Sequence, residues 1–360
     1  MQPETAIFLK FSPGLRTIIS MIVLGIETSC DETSAAVAID GVVKSNVISS
    51  QLVHQKYGGV VPELASRAHQ KLIVQVVDEA LRTAQIDKKD LHGIAATQGP
   101  GLVGALLVGL NFGKALAYGL GIPFVGVNHM EGHLYSNFLA DPAPAYPFLS
   151  LIVSGGHTML VHVEEPLRQQ VLGQSRDDAA GEAFDKVAKM LGLGYPGGPA
   201  IDRLAREGNP AAIDFPRSYL SPGSYDFSFS GVKTAVLYYL RNNGWLDAIS
   251  KQTPATPPNI ADICASFQQA IVDVLVDKTV AAADELHIRD VTIAGGVSAN
   301  SGLRAAMLTA VAKSGRRLFN PKLEYCMDNG AMIAYVGWMK LTRGVRSDFE
   351  LPAVANLELA

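Results

Sequence analysis

The sequence predicts an α/β protein of two duplicated lobes, each built on a mixed sheet, with a ligand cleft between them. Three observations predict it. The 360 residues are 48% hydrophobic and only 18% charged, ample for two domains with separate cores. An order of three strands, helix, strand, helix, strand, helix is used twice along the chain. Two buried strands end in a double glycine: Leu149-Ser-Leu-Ile-Val-Ser-Gly-Gly156 and Val291-Thr-Ile-Ala-Gly-Gly296. Either alone reads as a tight turn. Together they suggest a nucleotide held between related halves, because glycine lets backbone N–H groups approach an anion.

Residues 1–20 read as an N-terminal extension, expected to be disordered. Glu4 and the scarcity of arginine argue against an organellar presequence. The apolar run Met21-Ile-Val-Leu-Gly-Ile26 is the first strand, 21–28, rather than a signal segment, which makes Met21 a candidate start. A strand follows at 34–40, a tight turn at Asp40-Gly41 and a strand at 42–49; Asp-Gly is a strong hairpin signal. Pro62 opens a helix to about Ala84, as proline suits a first helical turn. A strand at 93–97, a helix at 101–119 and a strand at 123–127 complete a lobe spanning 21–146. The run from Pro100 to Gly121 is apolar but broken by Asn111 and Lys114. A membrane span needs about 20 clean apolar residues, so this is a buried or interface helix. Gly109 and Gly113 would admit a neighbouring helix.

The second lobe, 147–345, repeats the plan. Strands are expected at 147–154, 157–163 and 168–174, then a helix at 260–286, a strand at 290–294, a helix at 299–314 capped by Ser298, a strand at 316–319 and a helix at 328–342 opened by Asp328. An insertion at 178–258 carries the glycine and proline clusters Gly194-Tyr-Pro-Gly-Gly-Pro199 and Thr253-Pro-Ala-Thr-Pro-Pro258, the second expected to be a mobile loop. Residues 346–360 form a tail. This order of elements is that of the actin-like ATPase (ASKHA) fold.

The formal net charge of −4 gives no global signature for nucleic acid. Basic clusters at Lys313 to Arg317 and Lys340 to Arg346 are either solvated faces or phosphate contacts. Cys30, Cys264 and Cys326 are far apart and form no CxxC pair, which points to a reducing, cytoplasmic compartment without disulfides.

Asn128-His-Met-Glu-Gly-His133 places two imidazoles four residues apart, on one helix face, where they can share a metal. A metalloprotease carries glutamate directly after the first histidine. Here that position is Met130, and Glu131 points roughly 200° away from either ring. The pair therefore suggests a metal but not a peptidase; the alternative is two polar residues near a helix start.

Taken with Gly25-Ile-Glu-Thr-Ser-Cys-Asp-Glu-Thr33, Val153-Ser-Gly-Gly-His-Thr158, Gly181-Glu-Ala-Phe-Asp-Lys186, Tyr195-Pro-Gly-Gly198, Phe227-Ser-Phe-Ser-Gly-Val-Lys-Thr234, Ala294-Gly-Gly-Val-Ser-Ala-Asn300 and Asp328-Asn-Gly-Ala-Met332, this run resembles the TsaD family over residues 21–345. These are the tRNA adenosine threonylcarbamoyltransferases, formerly named O-sialoglycoprotein endopeptidases. The resemblance implies formation of N6-threonylcarbamoyladenosine at position 37 of tRNAs reading ANN codons, with threonylcarbamoyl-AMP as donor and AMP as leaving product. It implies one divalent metal per subunit on His129, His133 and Asp328, Fe(2+) in preference to Zn(2+). It further implies an adenine nucleotide (threonylcarbamoyl-AMP, AMP or ATP) against Ile152, Val153, Ser154, Gly155, Gly156, Asp185, Gly198, Asp202 and Asn300.

Asp328 has the alternative role of N-cap, and Asp185 and Asp202 of helix-surface acids. His157 and Lys233 are secondary candidates, for turn packing and for phosphate or RNA. No residue is assigned as general base. The implied partners are tRNA, a TsaB paralogue and a TsaE ATPase, with a TsaC-type enzyme supplying the donor; organellar members act as homodimers. No membrane is implied. The helices at 62–84 and 101–119 are candidates for the paralogue interface. The competing readings are an actin-like metallopeptidase, a small-molecule kinase, which would not need the histidine pair, and a non-catalytic nucleotide-binding scaffold.

Overall fold

The computed structural model describes residues 20–245 and 259–359, so the extension at 1–19 and the Thr253–Pro258 loop lie outside the described residues. In the first lobe, β1 (Ile22–Glu27), β2 (Glu32–Ile39) and β3 (Val42–Ser50) form an antiparallel meander. Then follow α1 (Pro62–Ala84), β4 (Gly93–Gly99), α2 (Val103–Leu120), β5 (Phe124–Asn128) and α3 (His129–Tyr135). The second lobe opens with β6 (Phe148–Val153), β7 (Thr158–Glu165) and β8 (Arg168–Gln174). The inserted segment holds α4 (Ala180–Met190), α5 (Gly197–Ala205) and α6 (Ser230–Asn242). After it come α7 (Ile260–Glu285), β9 (Asp290–Ala294), α8 (Ser301–Lys313), β10 (Arg317–Phe319) and α9 (Gly330–Thr342).

The two sheets have orders β3-β2-β1-β4-β5 and β10-β9-β6-β7-β8, the same plan read from opposite ends. In each, the first strand pairs antiparallel with the second and parallel with the fourth. The expected actin-like duplication is what the chain forms. Alternation along β1 sends Leu24 and Ile26 towards α1 and α2, where they join Ile73, Val77, Leu81 and Leu110 in a buried cluster. Val23, Gly25 and Glu27 face the other way.

That second face is covered by α9, an element from the far end of the chain. The approach is backbone to backbone. A Cβ on Gly25 would lie 2.3 Å from the Ala334 nitrogen, and one on Gly330 would lie 2.6 Å from the Ala35 carbonyl carbon. Against α9 lies α3, where a Cβ on Gly132 would stand 2.9 Å from Met332 Cγ. Between the lobes these elements bury Val127, Met130, Leu134, Phe148, Ile152, Ile333 and Val336 as one cluster. Each such side chain contributes about 1.5–3 kcal/mol by leaving water.

Three local expectations need correction. Ser298 does not cap α8; it lies in a short 3-10 turn, and Asn300 accepts from the Leu303 N–H at 2.9 Å instead. Asp328 does not cap α9; Asn329 does, accepting from Met332 N–H at 3.1 Å. Gly109 and Gly113 admit the sheet rather than a helix, since their Cβ positions meet Thr28 Oγ1 at 2.4 Å and Ala96 Cβ at 3.2 Å. By length and composition α2 is the one described helix able to cross a membrane, yet its Ala105, Leu106, Leu110 and Ala117 are buried against its own lobe.

The tail is an ordered strap. Ser347 N–H bonds the Phe124 carbonyl at the open edge of β5, and Val354 N–H bonds the Gln98 carbonyl. The Ala355 carbonyl then accepts from Gly101 N–H, and the Glu358 carbonyl from Asn128 Nδ2 at 2.9 Å.

Gly25→Ala should destabilise the protein by about 3 kcal/mol or more, because backbone cannot yield to the new methyl. Gly119→Ala, on the exposed face of α2 with nothing within 4 Å of the new carbon, should stabilise it by about 0.5–1 kcal/mol. Urea denaturation of the two variants checks both signs.

Candidate metal centre and cleft

β5 ends where α3 begins, and the cap is Asn128, whose Oδ1 accepts from Met130 N–H at 2.8 Å. This fixes His129 in the first turn and His133 one turn on, with ring centroids 4.7 Å apart. The start of α9 delivers Asp328 from 195 residues away. Its Oδ1 lies 3.1 Å from His133 Nε2 and 3.3 Å from His129 Nε2. The three ligand atoms fall within 4.8 Å of one another, a group that can hold a metal ion. Two imidazoles and one carboxylate leave positions free for substrate oxygens.

The electrostatics fit a cation. Burial works against charge on His129, but Asp328 and Glu27 outweigh it and hold its proton affinity well above the ordinary histidine value. Burial would raise the Asp328 carboxyl, yet the charge of His129 and bonds from both rings keep it well below the carboxylate range. A buried carboxylate, Glu27, and a half-buried one, Asp328, thus favour positive charge between them. Glu131 plays no part, being tied to Lys340 Nζ at 2.5 Å on the other side of α3.

His129 and Asp328 open onto a cleft of about 470 Å³. The first lobe contributes Ser29 to Glu32, Gln51, His54 and Pro100 to Leu102; the second contributes Ser154 to His157 and Gly296. The two double-glycine turns sit side by side on the second lobe, since β6 and β9 are paired. Gly295 needs its φ of 83°, and its Cβ position is only 2.4 Å from the Val153 carbonyl oxygen. Gly155 and Gly156 instead face open space, with nothing within 4 Å of an added Cβ.

The other expected nucleotide residues are placed as follows. Ile152 and Val153 are fully buried at the end of β6, behind the turn. Asp185 accepts from Gly197 N–H at 2.7 Å, and burial raises its carboxyl above the usual range. Gly198 is open, with no atom near its Cβ position. Asp202 accepts from Ser301 N–H and Oγ and pairs with Arg206 at 2.8 Å. Asn300 caps α8 and donates to Gln268 Oε1 at 2.7 Å. Asp185, Asp202 and Asn300 therefore bracket α5 and the start of α8, and Asp185 holds Gly197 beside the cleft-lining Tyr195 and Pro196. Lys233 is paired with Asp178 at 2.7 Å. His157 lines the cleft, and burial with the two neighbouring histidines pushes it down to about 4.

Sequence reasoning gave no role to Glu27, Asp31, Glu32, Gln51 or His54. The signal was present for the first three, in the run Gly25 to Thr33. Glu32 lines the cleft, and burial with Asp328 and Asp31 pushes its carboxyl up to about 9.

A model of the TsaD family, described as tRNA N6-adenosine threonylcarbamoyltransferase, matches residues 41–335. A protein of that name from Salinibacter ruber is 54% identical over 94% of this chain and 100% of its own length. One from Chlorobium phaeobacteroides is 55% identical over 94% and 99%. Among solved structures, full-length HypF in its phosphate- and nucleotide-bound form matches with a TM-score of 0.57 at 12% identity, over 90% of this chain and 46% of that one. HypF of T. kodakarensis matches at 0.58 and 14%, over 93% and 49%. At that identity the two speak for the fold alone.

Glu32 sets a pH dependence. Its folded value is raised from 4.5 to about 9, so between those limits the folded state keeps a proton that the unfolded chain has lost. Stability then falls as pH rises through that window, by at most about 1.4 kcal/mol per pH unit. In EDTA, Glu32→Gln should be more stable than wild type at pH 8, with the gap closing towards pH 5, as read by chemical denaturation.

Proposed function

The chain belongs to the TsaD family of tRNA N6-adenosine threonylcarbamoyltransferases, and from that premise we propose that it moves a threonylcarbamoyl group from threonylcarbamoyl-AMP to N6 of adenosine 37 in tRNA. The observation that carries the site-level reading is the meeting of His129, His133 and Asp328, the first and last of them on the wall of the cleft that also exposes Gly155 and Gly156.

The chemistry requires an activated donor, because the adenine amine shares its lone pair with the ring. In the transfer, the bond from N6 to the carbamoyl carbon forms and the bond from that carbon to the phosphate oxygen breaks. AMP leaves with the electron pair, and the proton that N6 loses passes to solvent water. Gly155 and Gly156 present backbone to the cleft where a departing phosphate needs N–H donors. Asp185, Gly198, Asp202 and Asn300 would receive the nucleoside end. A divalent ion on the histidines and Asp328, Fe(2+) in preference to Zn(2+), would supply positive charge to the threonyl and carbamoyl oxygens. A peptidase reading fares worse, because Glu131 is turned away and bound to Lys340. A kinase would have no use for the paired imidazoles.

We further assign the chain to the cytoplasm, in company with a TsaB-type paralogue, a TsaE-type ATPase and a TsaC-type enzyme that supplies the donor. The contact surface would be the outer face of α1 and α2, where Val74, Val103 and Leu107 are exposed. A homodimer through that face is the other arrangement.

With donor in excess, His129→Ala should lose transfer by about 100-fold or more while AMP still binds, and full transfer would sink the metal role. Gly156→Val should leave the melting temperature unchanged but raise KM for the donor about tenfold, since the side chain enters only the cleft.

A further inference from the structure

Glu27 is the last residue of β1, fully buried, and its carboxylate has three partners. Oε1 accepts from the Ser29 N–H at 2.5 Å. Oε2 accepts from Thr97 Oγ1 at 2.6 Å and lies 2.9 Å from His129 Nδ1. No lysine or arginine among the described residues reaches it. A buried carboxylate without a cationic partner is costly, so its place needs a reason.

We propose that Glu27 is the positioning residue of the metal centre, taking the Nδ1 proton of His129 and so aiming the Nε2 lone pair at the ion. This rests on the metal reading above. An imidazole that donates from Nδ1 offers its lone pair at Nε2, the atom that faces Asp328. β1 is paired on both sides, by β2 and β4, so the carboxylate is held by a rigid support. The arrangement is one-sided: Nδ1 of His133 is buried with no described hydrogen-bond partner, so no second carboxylate sets that ring from behind as Glu27 does for His129. Charge also balances. With the ion in place of a proton on each Nε2, the imidazoles are neutral, and the carboxylates of Glu27 and Asp328 match the charge of a divalent ion.

The test is zinc affinity, measured on metal-stripped full-length protein by competition with a chromophoric chelator. Glu27→Gln keeps the shape and should weaken zinc 10- to 100-fold. Glu27→Asp, which keeps the charge but withdraws it by one methylene, should weaken zinc less than the glutamine variant. Wild-type zinc affinity in either variant overturns the proposal. So does a fall in melting temperature in EDTA with affinity unchanged, which marks Glu27 as structural only. If the unaltered protein itself binds zinc no better than His129→Ala, the metal reading has failed, a result distinct from failure of Glu27 alone.

Discussion

Everything at the cleft depends on one packing constraint, the direct contact of α9 with the sheet of the opposite lobe. Glycine at positions 25, 330 and 337 removes the side chains that would hold helix and strand apart, and a Cβ on Gly337 would already be 2.3 Å from Ala95 Cβ. The close approach fixes the start of α9 beside the start of α3. Asp328 and the two histidines meet because two helices from distant parts of the chain are pressed into one layer. The buried Met130, Leu134, Ile333 and Val336 hold that layer shut.

Charge is arranged around this junction in the same economical way. Glu27 comes from the strand beneath, Asp328 from the helix start above, and His129 lies between them. Each carboxylate would be unfavourable alone in such a setting. Their joint effect is to favour positive charge at the spot where the three ligand atoms converge. The neighbouring His157 is held neutral, so no second cation competes for that place.

Much of the fold was legible because its signals are local. Alternating apolar residues, the Asp40-Gly41 turn and Pro62 each act within a few residues, and the strands and helices expected outside the insertion fall within a residue or two of their limits, whereas α4, α5 and α6 inside it were not expected. The two misplaced caps share a cause: in both Val297 to Asn300 and Met327 to Asn329, an asparagine stands closer to the helix than the residue chosen. The site was legible only in part. The spacing of His129 and His133 shows that two rings share a face, but nothing in the spacing can bring Asp328 across 195 residues; family resemblance did that. Glu27 and Glu32 stayed hidden because their roles come from burial and neighbours. The strap carries none of the family's motifs, and its contacts with Phe124, Gln98 and Gly101 follow from an open sheet edge that no short run of sequence describes.

The strap also changes what the far end of the polypeptide is attached to. Its Ala355 and Glu358 carbonyls hold Gly101 and Asn128, one on the rim of the cavity and the other at the origin of the histidine helix. A dye, affinity handle or protease cut placed along these last residues would therefore act on the floor of the reaction chamber, and an assay that relies on such a handle would be reading a perturbed enzyme.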